Sequence, residues 1–583
     1  MRTHAVAALV VALGALPVSG AASAATDQTG KRTYVVVYEE GASPAEARAA
    51  IERAGGRIVR ENTAIGVATV EATSGSFADA ATAEPSLEGA ATDEPIGEAP
   101  PRDRRKGERE LERAQDAREA SRGRPGGRHG WPGRPGWPGR PGWPGHPPVT
   151  PDPLSALQWD MDMIGATPDG SYAVTQGSHD VRVGIIDTGI DGSHPDIAPN
   201  FDAELSRNFT VDDPIVDGAC ETDPDGSCED PADVDEDGHG THVAGTIGAP
   251  LNGQGIGGVA PGVSLVNLRA GQDSGYFFLG PVLDALTYAG DNGIDVVNMS
   301  FYVDPWLFNC AANPADSPAE QREQRLVVAA TQRAIDYARD RGVTTIAAEG
   351  NGHTDLGKPT VDTASPGYPD FETSPRERTI DNSCVSMPTE ADGVIGVTSV
   401  GPSGRKAYYS DYGVEQADVA APGGDLRDFP GTDRYGTPGN LVLAPYPESV
   451  GRANGDIDES GEPTTDFVVK DCSAGPCSYY QYLQGTSMAS PHAVGVAALI
   501  VQRFGRHDRQ HGGVRADPDL VEQVLKRTAT DTPCPEPNPF AYPDLPEEYT
   551  ALCEGGPSFN GFFGEGIVNA AAAVGKRGWR PQR

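Results

Sequence analysis

The chain has 583 residues, enough for several domains and at least one large core. Its formal charge of -38 falls entirely beyond residue 150, because residues 1–150 hold 19 basic and 19 acidic side chains. So acidic a region repels nucleic acid and anionic membrane, which excludes both as partners, and it attracts divalent cations and basic peptide segments.

Met1-Arg2-Thr3-His4 is a short basic start, Ala5 to Leu16 is apolar, and Ala22-Ser23-Ala24 offers small residues for cleavage. Residues 1–24 therefore read as an export signal and predict a secreted, extracellular protein. The apolar stretch is too short to span a bilayer.

Residues 31–98 form a small module. Tyr34-Val35-Val36-Val37-Tyr38 reads as a strand, and Ser43-Pro44-Ala45-Glu46 is a capping box that opens a helix ending at Gly55-Gly56. Arg57-Ile58-Val59 and Ile65 to Val70 read as two more strands. Residues 99–150 cannot form a core. Charge is dense from Arg102 to Arg128, and a Trp-Pro-Gly-Arg-Pro-Gly repeat starts at Trp131. This composition predicts an extended linker that is open to proteolysis.

From residue 151 to 583 the pattern is α/β. Near-continuous apolar runs at Val181 to Ile186, Ser264 to Leu268, Asp295 to Ser300, Thr344 to Ala348 and Val394 to Val400 alternate with helical stretches. This predicts a mostly parallel central sheet with helices on both faces, a three-layer fold, with working groups past the C-terminal strand ends. The chain's 8 cysteines fit an oxidising compartment. Proximity suggests Cys220–Cys228, Cys472–Cys477 and Cys534–Cys553, which leaves Cys310–Cys384.

Three segments carry chemistry. Asp187-Thr188-Gly189 ends the first apolar run, His239-Gly240-Thr241-His242 opens a helix of small residues, and Ser487 lies in Gly485-Thr486-Ser487-Met488-Ala489-Ser490-Pro491. A carboxylate, an imidazole and a hydroxyl in that order are what a serine nucleophile needs: His239 as base and Asp187 to orient it. An aspartic peptidase pair of Asp187 and Asp273 would leave both His239 and Ser487 without a role and would demand an all-β fold. A zinc pair of His239 and His242 lacks the H-E-x-x-H glutamate. Ser487 at a helix start gains free backbone N–H groups that can meet an oxyanion, and Asn351, after the strand ending at Ala348, would donate a second hydrogen bond.

Together with Gly258-Val259-Ala260-Pro261, Val297-Asn298-Met299-Ser300 and Gly564 to Ala570, these motifs resemble the subtilisin-like serine peptidases over about residues 151 to 577. The resemblance implies a subtilisin-like fold and a secreted, monomeric serine endopeptidase acting on protein or peptide substrates. It makes Asp187, His239 and Ser487 the catalytic residues and Asn351 the oxyanion donor. It makes the 31–98 module an inhibitory α+β propeptide, a partner that the enzyme removes by cutting within 99–150. It marks Ser300, Phe301, Tyr302, Ala347, Ala348, Glu349 and Gly350 as substrate-binding strands. Tyr302 stands where the family commonly has glycine. Glu349 replaces a small residue, where it would favour basic substrates or point away. No cofactor is expected for catalysis. The family often binds structural calcium, for which Asp456 and Asp458, and less strongly Asp223 and Asp225, are the candidate ligands.

Overall fold

The computed structural model describes residues 31–93, 111–114, 149–214, 216–220, 227–367, 376–509 and 511–575. The export signal, the Trp-Pro-Gly repeat, Asp223 and Asp225 lie outside the described residues.

The first module contains β1 (Arg32–Tyr38), α1 (Pro44–Ala54), β2 (Arg57–Asn62), β3 (Val67–Ala72), α2 (Phe77–Thr82) and β4 (Leu87–Thr92). Its antiparallel sheet has the order β2-β3-β1-β4. The Ser43–Glu46 capping box forms as expected, and Gly55 closes α1 at φ 93°. Helix α2 and strand β4 were not read from the sequence. The alanine-rich stretch that makes them shows neither clear period.

The larger body opens with α3 (Trp159–Ile164) and β5 (Arg182–Ile186), then β6 (Arg207–Asn208), α4 (His239–Gly248), β7 (Ser264–Arg269), α5 (Leu279–Asp291) and β8 (Val296–Met299). After the two-residue strand β9 (Asn309–Cys310) come α6 (Pro318–Asp340) and β10 (Thr344–Ala348). Three further short strands, β11 (Val361–Asp362), β12 (Arg378–Thr379) and β13 (Cys384–Val385), precede β14 (Ile395–Val400) and β15 (Val419–Pro422). The chain then forms β16 (Val442–Tyr446), α7 (Glu448–Ala453), β17 (Val468–Asp471), β18 (Ser478–Leu483), α8 (Thr486–Phe504), α9 (Pro518–Thr528) and α10 (Ala570–Gly575), with a small ribbon between α8 and α9.

Seven strands make one sheet in the order β15-β14-β10-β8-β5-β7-β6. Every pairing in it is parallel. Each central strand is buried on both faces, which is why it reads as an unbroken apolar run. One face packs on α4 and α8 through Val183, Ile185, Val243, Ile247 and Val494. The other packs on α5 and α6 through Val297, Met299, Leu283, Leu286 and Ile335. These are the three layers expected from the sequence; three disulfides join the pairs that proximity suggested, and Cys310–Cys384 is the pair left over.

The module sits on α5 and α6. Alternation along β1 sends Tyr34, Val36 and Tyr38 under the module's own helices, while Val35 and Val37 join the α5–α6 layer. Burying each such valine contributes about 1.5–3 kcal/mol. Around this apolar seam, Arg60 meets Asp284 at 2.6 Å and Arg333 meets Glu88 at 2.7 Å. Asn62 donates to Thr287 at 2.8 Å, and the Gly280 N–H donates to Asp93 at 2.9 Å.

Candidate active site

Asp187 is the first residue past β5 and is fully buried. Gly189 follows at φ 145°, and a Cβ there would lie 2.5 Å from the Val234 carbonyl. Across from it, a Cβ on Gly240 would lie 2.1 Å from the Gly189 carbonyl. The two glycines therefore let the strand end and the start of α4 abut, which carries His239 to Asp187. Asp235 fixes the entry to α4. One of its oxygens accepts from the Thr241 N–H at 2.9 Å and the Thr241 hydroxyl at 2.6 Å, and the other accepts from the Gly238 N–H at 2.9 Å. An acceptor at a helix start satisfies free N–H groups and suits the dipole. The sequence analysis missed this residue, although an aspartate four positions before the helix-opening histidine is the signal that marks it.

His239 Nδ1 lies 2.7 Å from Asp187 Oδ1. A buried carboxylate can only accept, so Nδ1 carries the hydrogen and Nε2 is the nitrogen left for proton transfer. Burial pulls the His239 pKa down, but the carboxylates of Asp187 and then Glu112 outweigh it, and the pKa is pushed up to about 10. His242, one turn on, points instead to the Val442 and Gln481 carbonyls at 3.2 and 3.1 Å. Burial takes it down to about 3, so it stays neutral and structural, as read from the sequence.

Ser487 is the second residue of α8, and the N-cap is Gly485 rather than the serine itself. A chain of hydroxyl and amide bonds holds this first turn. Ser490 donates to Asn298 at 2.8 Å, Asn298 donates to Ser300 at 2.9 Å, and Ser300 donates to the Ser487 carbonyl at 3.1 Å. The Val-Asn-Met-Ser motif is thus a brace between β8 and α8. Asn351 Oδ1 accepts from the Thr486 N–H and from its hydroxyl, both at 2.9 Å. That fixes the amide so that its NH2 end is the one left to donate.

The sequence analysis did not single out Glu112. Its Oε1 accepts from the Ser487 hydroxyl at 2.9 Å, and its Oε2 lies 3.8 Å from His239 Nε2. One carboxylate touches both groups, so hydroxyl and imidazole share one side of the domain. No motif announces this glutamate, because it is one charge within a charged run.

Of the residues marked for substrate, two side chains are turned into the core. Ser300 braces Ser487, as above. Phe301 stacks on Phe277 with ring centroids 4.1 Å apart, inside the α5–α6 layer. Tyr302 is half-buried. Ala347 and Ala348 are buried, and the Gly350 N–H donates to the Thr486 hydroxyl at 3.1 Å. Glu349 takes the second of its two readings and points away. Its carboxyl lies in the core against Gly396 of β14, and burial first, then Glu390 and Asp418, raises its pKa far above normal. A carboxyl buried in the core does not reach a substrate side chain.

The described calcium candidates, Asp456 and Asp458, are engaged in contacts of their own. Asp458 Oδ1 accepts from the Ser460 N–H at 2.8 Å, the Ser460 hydroxyl at 2.7 Å and the Glu462 N–H at 2.9 Å, so it closes a turn. Asp456 accepts from the Tyr446 hydroxyl at 3.2 Å. Among the described residues, the group of three carboxylates with oxygens within 4.8 Å of one another is Asp212, Asp230 and Asp273. An all-oxygen set suits a hard cation, but Arg269 is already there. Its guanidinium meets Asp230, Asp212 at 3.1 Å and Asp273 at 2.9 Å, fully buried. Burial still lifts Asp273 to about 9 against the pull of Arg269. The structure therefore fits an arginine-centred cluster rather than a calcium site. Arg269→Met should cost about 3–5 kcal/mol, because it strands buried carboxylates. Urea unfolding of the Ser487→Ala chain with and without this change measures it, and a shift below 1 kcal/mol would contradict the account.

Among the described residues no helix is long and apolar enough to cross a membrane. The Subtilase family pattern matches residues 178–566. Subtilisin DY from Bacillus licheniformis is 28% identical over 324 residues, which is 56% of this chain and 77% of its own length. Fervidolysin from Fervidobacterium pennivorans is 27% identical over 399 residues, and the match covers 65% of this chain and 41% of fervidolysin. The solved epidermin leader peptide processing serine protease from Staphylococcus aureus covers 95% of this chain and 100% of its own, at a TM-score of 0.58 and 19% identity, a likeness of fold. With most of its length matched by one family pattern, the chain belongs to the subtilase family of peptide hydrolases.

Proposed function

We propose that the chain is a secreted serine endopeptidase, made as a precursor that processes itself. The observation that carries this is the short Asp187–His239 contact, with Ser487 and His239 both touching Glu112. His239 takes the Ser487 proton as the hydroxyl attacks the scissile carbonyl. Asp187 stabilises the imidazolium. The α8 N-terminus and the Asn351 amide receive the oxyanion. His239 then gives its proton to the leaving amine, and water releases the acyl group by the reverse path. The 31–98 module is the propeptide, and the acidic mature domain works as a monomer outside the cell on protein or peptide substrates.

Two relatives favour a narrower reading. One is named a nisin leader peptide-processing serine protease, from Lactococcus lactis subsp. lactis, and the other is the epidermin enzyme above. A maturation peptidase of one partner peptide would share the same site. Cleavage of a random peptide library by the mature form separates the two readings: many products mark a broad enzyme, and one motif marks a narrow one.

The base must be neutral, so turnover falls as pH drops through the His239 midpoint. An ordinary imidazole would put that near 6.5. Asp187, which stays beside the ring when the Glu112 segment leaves, raises it, so the acid limb of the mature form lies at or above 6.5. A rate that stays flat down to pH 4 would sink the mechanism.

A further inference from the structure

Residues 111–114 lie apart from the module, yet they are docked at the catalytic groups. The Leu111 carbonyl accepts from Gln484 Nε2 at 2.8 Å, and the Glu112 carbonyl accepts from the Gln484 N–H at 3.0 Å. Arg113 donates to the Asp237 carbonyl at 3.5 Å. Ala114 is 5% exposed and belongs to the cluster with Leu441 and Leu443. Its φ of 49° is one that a free alanine avoids, so the docking contacts hold it there. The segment thus runs across the start of α8, and the side chain it presents to Ser487 is the Glu112 carboxylate.

We infer that Glu112 is a latch on the nucleophile, a second restraint in the precursor beside the β1–β4 module. This rests on the peptidase reading above. The two restraints are physically separate, because the module's polar contacts go to Gly280, Asp284, Thr287, Arg322 and Arg333 on α5 and α6. The latch works in two ways. Glu112 takes the hydroxyl hydrogen that Ser487 would otherwise give to His239 Nε2, and a charge-assisted hydrogen bond of this kind is a strong one. Its negative charge beside His239 also favours the imidazolium, which cannot act as a base. A carboxylate is a poor electrophile with no amine to expel, so Ser487 does not consume it. Gly485 leaves room for it: a Cβ there would come within 3.2 Å of Glu112 Oε1. The nucleophile stays silent until the segment around Glu112 is displaced or cut.

The full-length chain tests this when it is refolded and pulsed with a fluorophosphonate before cleavage, and the label on the intact band is followed in time. The Glu112→Ala precursor is expected to label roughly tenfold or more faster than the native precursor. Glu112→Gln, which keeps the shape and loses the charge, should fall between them and guards against a folding defect. Ser487→Ala is the blank. Equal rates for the native and Glu112→Ala precursors would overturn the latch. If none of these chains takes label, even after cleavage, the peptidase reading itself fails and the latch with it.

Discussion

Ser487→Ala is expected to yield a full-length chain that keeps residues 31–98 attached, with peptide turnover lower by roughly 10^4–10^6. The magnitude is carried over from related serine peptidases. The direction follows from this structure. Ser487 is the hydroxyl at the α8 N-terminus, braced through Ser300, and it shares the Glu112 carboxylate with His239. Without it, no acyl-enzyme forms, and what remains is the stabilisation from Asn351 and the helix N–H groups acting on water. If the chain processes itself as proposed, the same change also removes that step, which turns a kinetic loss into a visible difference in mass. Mass spectrometry of the purified chain reads the second effect, and kcat/KM on a peptide substrate reads the first. Complete maturation of the variant in a host without other peptidases would rule out self-processing.

Asp187→Asn is the second large effect, a fall of about 10^4 in kcat with little change in fold. Asp187 is fully buried and receives His239 Nδ1 at 2.7 Å. An asparagine amide fits the same space, but it can turn its NH2 toward Nδ1. The ring then keeps its hydrogen on Nε2 and can no longer accept the Ser487 proton. It also loses the negative charge that stabilises the imidazolium. A loss well below 10^2 would mean that Asp187 only positions the ring. Thermal melting of the variant in the Ser487→Ala background checks that the fold survives.

The Asp187–His239 pair was legible in the sequence because each side chain proposed for catalysis is tied to a local pattern. Asp187 ends an apolar run, His239 opens a small-residue helix, and Ser487 precedes a long buried helix. Asn351 was legible for the same reason, as a polar residue just past β10. The layers followed from strands buried on both faces. Residues that act across the chain left weaker traces. Arg269 looks like the polar end of a strand, and nothing nearby says that it will gather Asp212, Asp230 and Asp273. Phe301 and Glu349 lie just past the ends of β8 and β10, and chain position there did not show which side chains turn into the core. Asp456 and Asp458 matched a short cation-loop pattern, and the turn used the same oxygens for its own N–H groups. Glu112 was hidden because its partner, Ser487, lies 375 positions away.

The close approach of Gly189 and Gly240 bears on how such chains are judged. Any side chain at either position would strike backbone. The glycines in Asp-Thr-Gly and His-Gly-Thr-His are therefore demanded by packing whether or not a bond is ever broken. A pseudo-enzyme descended from this fold would have to keep them to stay folded, while its aspartate, histidine and serine drifted. Evidence of hydrolysis in such a lineage rests on those three letters, and the surrounding signature attests to architecture alone.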